Sequence, residues 1–164
     1  MFTEEAKVSA EQRRRAALVY VRQCSRTQVF NSSEALARQY ALRDRAYALG
    51  WPLSRIHTIH SHIDPSAPQG ERHAGFQHLL CEVLLCRAGI VLAMERSCFT
   101  RHPAQWQQLL EACARRGTLI SLDSGLYDPA DRNDRYRLNA PFRPAPRRIL
   151  QHLLQRLSQV MHVD

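Results

Sequence analysis

Lysine is almost missing from this chain. Lys7 is the sole lysine; the rest of its 23 basic residues are arginines, set against 15 acidic ones for a net charge of +8. Long apolar runs are missing too, since none approaches the roughly 18 residues that a membrane span needs. The first residues, MFTEEAKVSAEQRRR, are charged and polar, so no signal segment is expected. The cysteines at 24, 81, 86, 98 and 113 are odd in number and irregularly spaced, which predicts free thiols in a reducing cytoplasm. Internal repeats and low-complexity tracts are absent as well.

The chain has 164 residues, 45% apolar and 23% charged, as expected for one globular domain with a sizeable core. Guanidinium binds phosphate as a planar two-pronged fork, which favours nucleic acid as partner. Base composition of the gene gives the same arginine excess without any selection on binding, so charge leaves both readings open.

Along the chain, residues 1–15 read as a flexible N-terminal arm ending in three arginines. Short apolar runs at 16–21, 56–59, 89–94 and 118–122 read as strands. Between them lie helical patterns. Ser32 or Ser33 offers an N-cap, and Leu36, Tyr40, Ala46 and Leu49 have helical spacing before Gly50. Phe76, Leu79, Leu80, Val83 and Leu84 form a second stripe. Pro103 opens a third helix with Trp106, Leu109, Leu110 and Cys113 on its apolar face, and Gly117 ends it. Alternation of this kind predicts an α/β fold: a central, mostly parallel sheet of four to five strands flanked by helices. Ligands of such sheets gather at the carboxyl ends of the strands. If the first and third strands are parallel neighbours, the loops after them meet. That would bring Arg22 and Cys24 toward Arg101. Residues 139–164 change character. APFRPAP reads as an extended linker. Leu150, Leu153, Leu154 and Leu157 then mark a basic helix, either a DNA-contacting or oligomerising element or a packing helix.

Several segments together resemble one family. YVRQCSRTQV with EALARQYAL, GWP, AGFQHLLCEV, GIVLAMERSCFTRH and GTLISLDSGLYDPADRNDR are similar, in this order, to the resolvase-type catalytic domain of serine site-specific recombinases, over roughly residues 15–138. The resemblance sets domain bounds of 16–138 for the catalytic domain. It implies DNA as partner and an activity that cuts and rejoins phosphodiesters through a covalent protein–DNA intermediate. It also implies dimers and tetramers, no membrane, and no metal or other cofactor. Without a metal, arginine forks must stabilise the negative charge that gathers on the phosphate in the transition state.

Carried onto this chain, the family's arginine before the nucleophile is Arg22. The nucleophile position, a serine in the family, is Cys24, followed by Ser25 and then Gln28. In the S-R-L-x-R motif the last arginine is Arg101, but the first is Cys98. The arginine ahead of the second helix falls on His73, with Arg72 one residue away. HSHIDPSA stands where the family has a glycine-rich acidic loop. After Arg135 the dimer helix with its M-S-E-x-E motif is replaced by YRLNAPFRPAPRR, either native sequence or a shifted frame. The resemblance makes Arg22, Arg26, Arg101 and Arg135 the expected DNA contacts. Each missing guanidinium costs about 2–4 kcal/mol of transition-state stabilisation, judged from oxyanion donors. Cleavage is therefore expected to be impaired. The alternative is an inactive relic that binds DNA or another protein. A thiolate at Cys24 would be favoured by Arg22 and Arg26 and is a good nucleophile, though phosphorus prefers oxygen. Neither Cys24 nor Cys98 has an arginine six residues on, so a cysteine phosphatase is not indicated.

His57, His60 and His62 in HTIHSH match no zinc-finger spacing, and no metal site is expected. Cys81 and Cys86 are expected to be buried as small apolar residues. Phe76 and Trp106 are expected in the core.

Overall fold

The computed structural model describes residues 3–23, 33–62 and 74–140. The elements run, in chain order, α1 (Ala10–Arg14), β1 (Ala16–Gln23), α2 (Ser33–Ala48), β2 (Ile56–His62), α3 (Ala74–Leu84), β3 (Ala88–Leu92), α4 (Arg96–Phe99), α5 (Pro103–Arg116), β4 (Leu119–Leu122), β5 (Gly125–Tyr127) and α6 (Arg132–Leu138). They form a five-stranded sheet in the order β2-β1-β3-β4-β5. The first four strands are parallel, and β5 pairs antiparallel with β4. This is the α/β, mostly parallel architecture that the sequence predicts.

Strand alternation divides the core. Leu18 and Tyr20 of β1, Val91 of β3 and Ile120 of β4 join Phe76, Leu79, Val83, Trp106, Leu109 and Leu110 on one face of the sheet. Ala17 and Val19, with Ile90, Leu92 and Leu119, join Leu42, Ala46, Leu49 and Trp51 on the other. Burial on both faces is why these strands read as unbroken apolar runs. Phe76 and Trp106 are in the core as expected. The stripe expected on α2 is only partly the buried one. Ala37, Ala41, Leu42 and Ala46 face inward, whereas Tyr40 is 59% exposed.

α5 starts with Pro103 and ends at Gly117, whose left-handed backbone (φ 67°) suits a residue without a side chain. Three features differ from the sequence reading. Residues 4–14 do not form a loose arm. A 3-10 turn at Glu4–Lys7 precedes buried Val8, and α1 opens on a capping box between Ser9 and Gln12. Gln12 donates to the Gly117 carbonyl at 2.9 Å, and its backbone lies so close to Gly89 that a Cβ there would clash. β1 runs to Gln23, so Arg22 is on the strand, paired with Ser61, rather than in the loop beyond. Cys81 and Cys86 are exposed, and only Cys113 among the described cysteines is buried. Both thiols fall outside the face of α3 set by Phe76, Leu79, Leu80 and Val83. The expected linker and helix of 139–164 lie outside the described residues from 141 on.

The YDPADRNDR stretch is a set of local hydrogen bonds. Asp128 accepts from the Ala130 amide at 3.0 Å, and Asp131 caps α6 through the Asp134 amide at 3.1 Å. Buried Asp134 accepts from the Asp128 amide at 2.9 Å and from Lys7 at 3.2 Å. These aspartates act on the fold.

Candidate active site

Because β1 and β3 are parallel neighbours, their carboxyl ends lie side by side, and the chain leaving β3 turns directly into α4 beside β1. Two contacts fix α4 there. Arg22 donates from a guanidinium nitrogen to the Ser97 carbonyl at 2.6 Å. The rings of Tyr20 and Phe99 pack with centroids 5.5 Å apart. The end of β1 and the start of α4 thus meet through the Arg22–Ser97 bond, while the loop after β1 lies outside the described residues.

Cys98, next to Ser97, is partly buried against the core cluster that holds Tyr20 and Phe99. Arg101 is exposed beyond the extended residue Thr100, which donates to Gln105 at 2.6 Å and accepts the His102 amide at 3.1 Å. Arg101 lines an open pocket of about 220 Å³ with Arg96, His102, Trp106 and Asn139. Arg22 thus lies on the strand that contacts α4, and Arg101 follows α4 in the chain, on the exposed approach to α5. Arg135 lies in the last turn of α6 and shares a separate concavity with Arg115 and Arg132. Cys24, Ser25, Arg26, Gln28, Arg72 and His73 lie outside the described residues.

The sequence reading passed over Tyr20. It sits two residues before Arg22, on the same side of β1, and its buried phenol bonds Ser61. Burial pushes its pKa above the ordinary 10.0; the Ser61 bond and the Arg22 charge pull it back, and Cys98 pushes it up. The i, i+2 spacing to Arg22 was the available signal. Arg96 was passed over as well. It donates to the carbonyls of Leu138 and Ala140 at 3.1 and 3.3 Å and lies over the Trp106 ring, 5.8 Å from its centroid. Trp106 donates to the same Leu138 carbonyl at 3.3 Å. Together they satisfy carbonyls that the end of α6 leaves open.

Among the described residues, no three histidine, cysteine or acidic side chains gather where a metal ion could sit. No described helix is long and apolar enough to cross a membrane.

The fold is that of serine recombinase catalytic domains. The N-terminal catalytic domain of TP901-1 integrase superimposes with a TM-score of 0.56 at 16% identity, over 90% of this chain and 100% of that one. The C-terminal catalytic domain of ISC1926 TnpA, an IS607-like serine recombinase, gives 0.51 at 17% identity, over 89% of this chain and 80% of that one. No family model matches the chain. In sequence it is 52% identical over 132 residues to the uncharacterized protein y4bA/y4pH of Sinorhizobium fredii (strain NBRC 101917 / NGR234). That match takes in 80% of this chain but only 19% of the relative's length.

Proposed function

We propose that this domain engages DNA as a serine recombinase catalytic domain whose strand cleavage is impaired. The Arg22–Ser97 bond carries the reading. It supports a site in which the end of β1 and the S-x-x-x-R segment act on one phosphate. In the proposed reaction the side chain of residue 24 attacks a phosphodiester. A covalent bond to the 5′ phosphate forms, and the 3′ hydroxyl of the broken strand leaves. Reversal by a hydroxyl from another strand rejoins the DNA. Arg22 and Arg101 hold the nonbridging oxygens, and Ser25, Gln28 and Arg72 assist. Arg26 and Arg135 contact the DNA backbone. Dimers, paired into tetramers in the cytoplasm, are the working assembly.

The impairment follows from charge. With a thiol at position 98 and an imidazole at 73, the site has lost up to two guanidinium forks. Each is worth about 10²–10³ in rate by comparison with oxyanion donors, although effects within one site do not add. Cys24 keeps a nucleophile in place but transfers phosphorus to sulfur.

The second reading, a relic that binds DNA without cutting it, is favoured by the partial burial of Cys98 in the core cluster. One experiment separates the two. The protein is incubated with a library of nicked random-sequence duplexes, whose short 3′ product diffuses away and traps any covalent adduct. An adduct on a denaturing gel, lost in Cys24→Ala, supports the enzyme. Salt-dependent duplex binding with no adduct at any protein concentration supports the relic. Absence of both rejects the proposal.

A further inference from the structure

The amino ends of the four parallel strands form the edge of the sheet opposite Arg22. β1 has eight residues. At about 3.3 Å rise per residue, the two edges lie roughly 23 Å apart. Arginine precedes each of these strands. Arg13, Arg14 and Arg15 lead into β1, Arg55 into β2, Arg87 into β3, and Arg116 stands three residues before β4.

Hydrogen bonds join these entries into one surface. Arg55 donates to the Arg13 carbonyl at 2.8 Å. Arg15 donates to the Arg116 carbonyl. The Ala16 amide donates to the Arg87 carbonyl at 2.8 Å, and Arg116 reaches the Cys86 sulfur at 3.7 Å. α1, packed against Gly89 and Gly117, holds the group together. Of the six guanidinium groups, those of Arg15 and Arg87 pair with a carboxylate, Glu11 and Glu82 respectively. Among the described residues, the other four have no carboxylate partner. Arg14, Arg55, Arg87 and Arg116 are exposed.

We propose that this arginine rim is a second DNA-binding surface, one that holds a phosphodiester backbone independently of the candidate active site. The chemistry favours phosphate over an acidic protein. Every cation is a guanidinium, whose fork matches two phosphate oxygens. The groups are spread along one edge, as a repeating polyanion requires. Base readout is not expected, because backbone contacts carry no sequence information.

The experiment measures binding of the full chain to a 30-bp random-sequence duplex by fluorescence anisotropy across a salt series. The rim variant is Arg14→Gln/Arg55→Gln/Arg87→Gln, with thermal melting to verify its fold. Each phosphate contact adds about 0.9 to the slope of log affinity against log salt. The variant should lower that slope by about 2–3 and weaken binding several-fold or more. Arg101→Ala, at the other edge, should lower it separately. Unchanged slope and affinity in a folded rim variant overturn the inference while leaving the proposed function intact. Loss in the rim variant with none in Arg101→Ala supports the rim and counts against the proposed site. Equal competition by polyglutamate and by DNA at matched charge also overturns it, since the rim would then read charge rather than phosphate.

Discussion

Asp134→Ala should destabilise the protein by about 3 kcal/mol, and the reason can be worked atom by atom. The carboxylate is buried, with 5% of the residue exposed. One oxygen accepts the Asp128 amide at 2.9 Å and the Lys7 ammonium at 3.2 Å. A hydrogen bond to a charged group is worth about 1.5–3 kcal/mol, and stranding a poorly solvated N–H adds about 1 kcal/mol. The ion pair is given the smaller share, because the Asp134 side chain is 8% exposed but the Lys7 side chain, at 37%, keeps its ammonium partly solvated. In a chain of this size, about 3 kcal/mol lowers Tm by roughly 6–12 °C. Urea unfolding at pH 7, with Lys7→Met as the companion variant, tests the assignment. Lys7→Met, which also removes the bond to the Leu126 carbonyl at 3.1 Å, should cost less than Asp134→Ala because the turn amide keeps its acceptor. A wild-type stability for Asp134→Ala would refute the reasoning. So would a Lys7→Met as damaging as Asp134→Ala, because the ion pair would then carry what is attributed here to the turn amide.

Burial holds the Tyr20 phenol protonated to a higher pH when folded than when unfolded. Its contribution to stability is therefore full below pH 10 and is lost as pH rises from 10 through the raised folded value; urea unfolding at pH 8, 10 and 11 should show a shallower decline in Tyr20→Phe than in wild type. Iodoacetamide should modify exposed Cys81 and Cys86 in the native protein and reach Cys113 only after denaturation, as read by peptide mass spectrometry; native labelling of Cys113 would contradict its burial, which also pushes its thiol pKa well up. In the trapping assay, Cys24→Ser/Cys98→Arg should form about 10²-fold more adduct than Cys24→Ser alone, the scale of one restored charge donor. Equal adduct in the two variants would remove Cys98 from the account of impairment.

The sheet was legible because its strands are buried on both faces. GIVLAM and TLISL could be little else once Gly117 had closed the helix between them. Pro103 and Gly117 marked the ends of α5 by the backbone they impose. What was not legible depended on distant partners. Nothing local says that residues 4–14 pack, since their anchors are Gly89, Gly117 and Leu49. The three residues of β5 are too few to show a period, and they form because β4 offers an open edge. Cys81 and Cys86 were misplaced by residue type. A thiol is often buried, but Cys86 sits in the turn after α3 with φ 60°, where the chain reverses at the surface. The candidate site was half legible. Topology predicted that the β1 and β3 ends meet, whereas the role of Arg96 depends on a Leu138 carbonyl 42 residues away.

That carbonyl bears on how chemistry and fold can change separately in this protein. The first two residues of α4 are each held by a bond to a backbone carbonyl: Ser97 accepts from Arg22, and Leu138 accepts from the Arg96 side chain. Phe99 holds it from below through Tyr20 and through the Trp106 ring at 6.2 Å. None of these bonds uses the side chain of residue 98 as donor or acceptor. The support that these contacts give α4 is therefore separate from the side chain at position 98, which packs on the apolar cluster. The charge delivered to a phosphate is another matter. With a thiol there, the proposed function leaves it to Arg22 and Arg101, and Arg22 already has one nitrogen committed to Ser97. Under the proposed function, the same bond that positions Arg22 also limits it. Intact architecture is then no measure of retained catalysis, and the trapping assay rather than the fold decides activity.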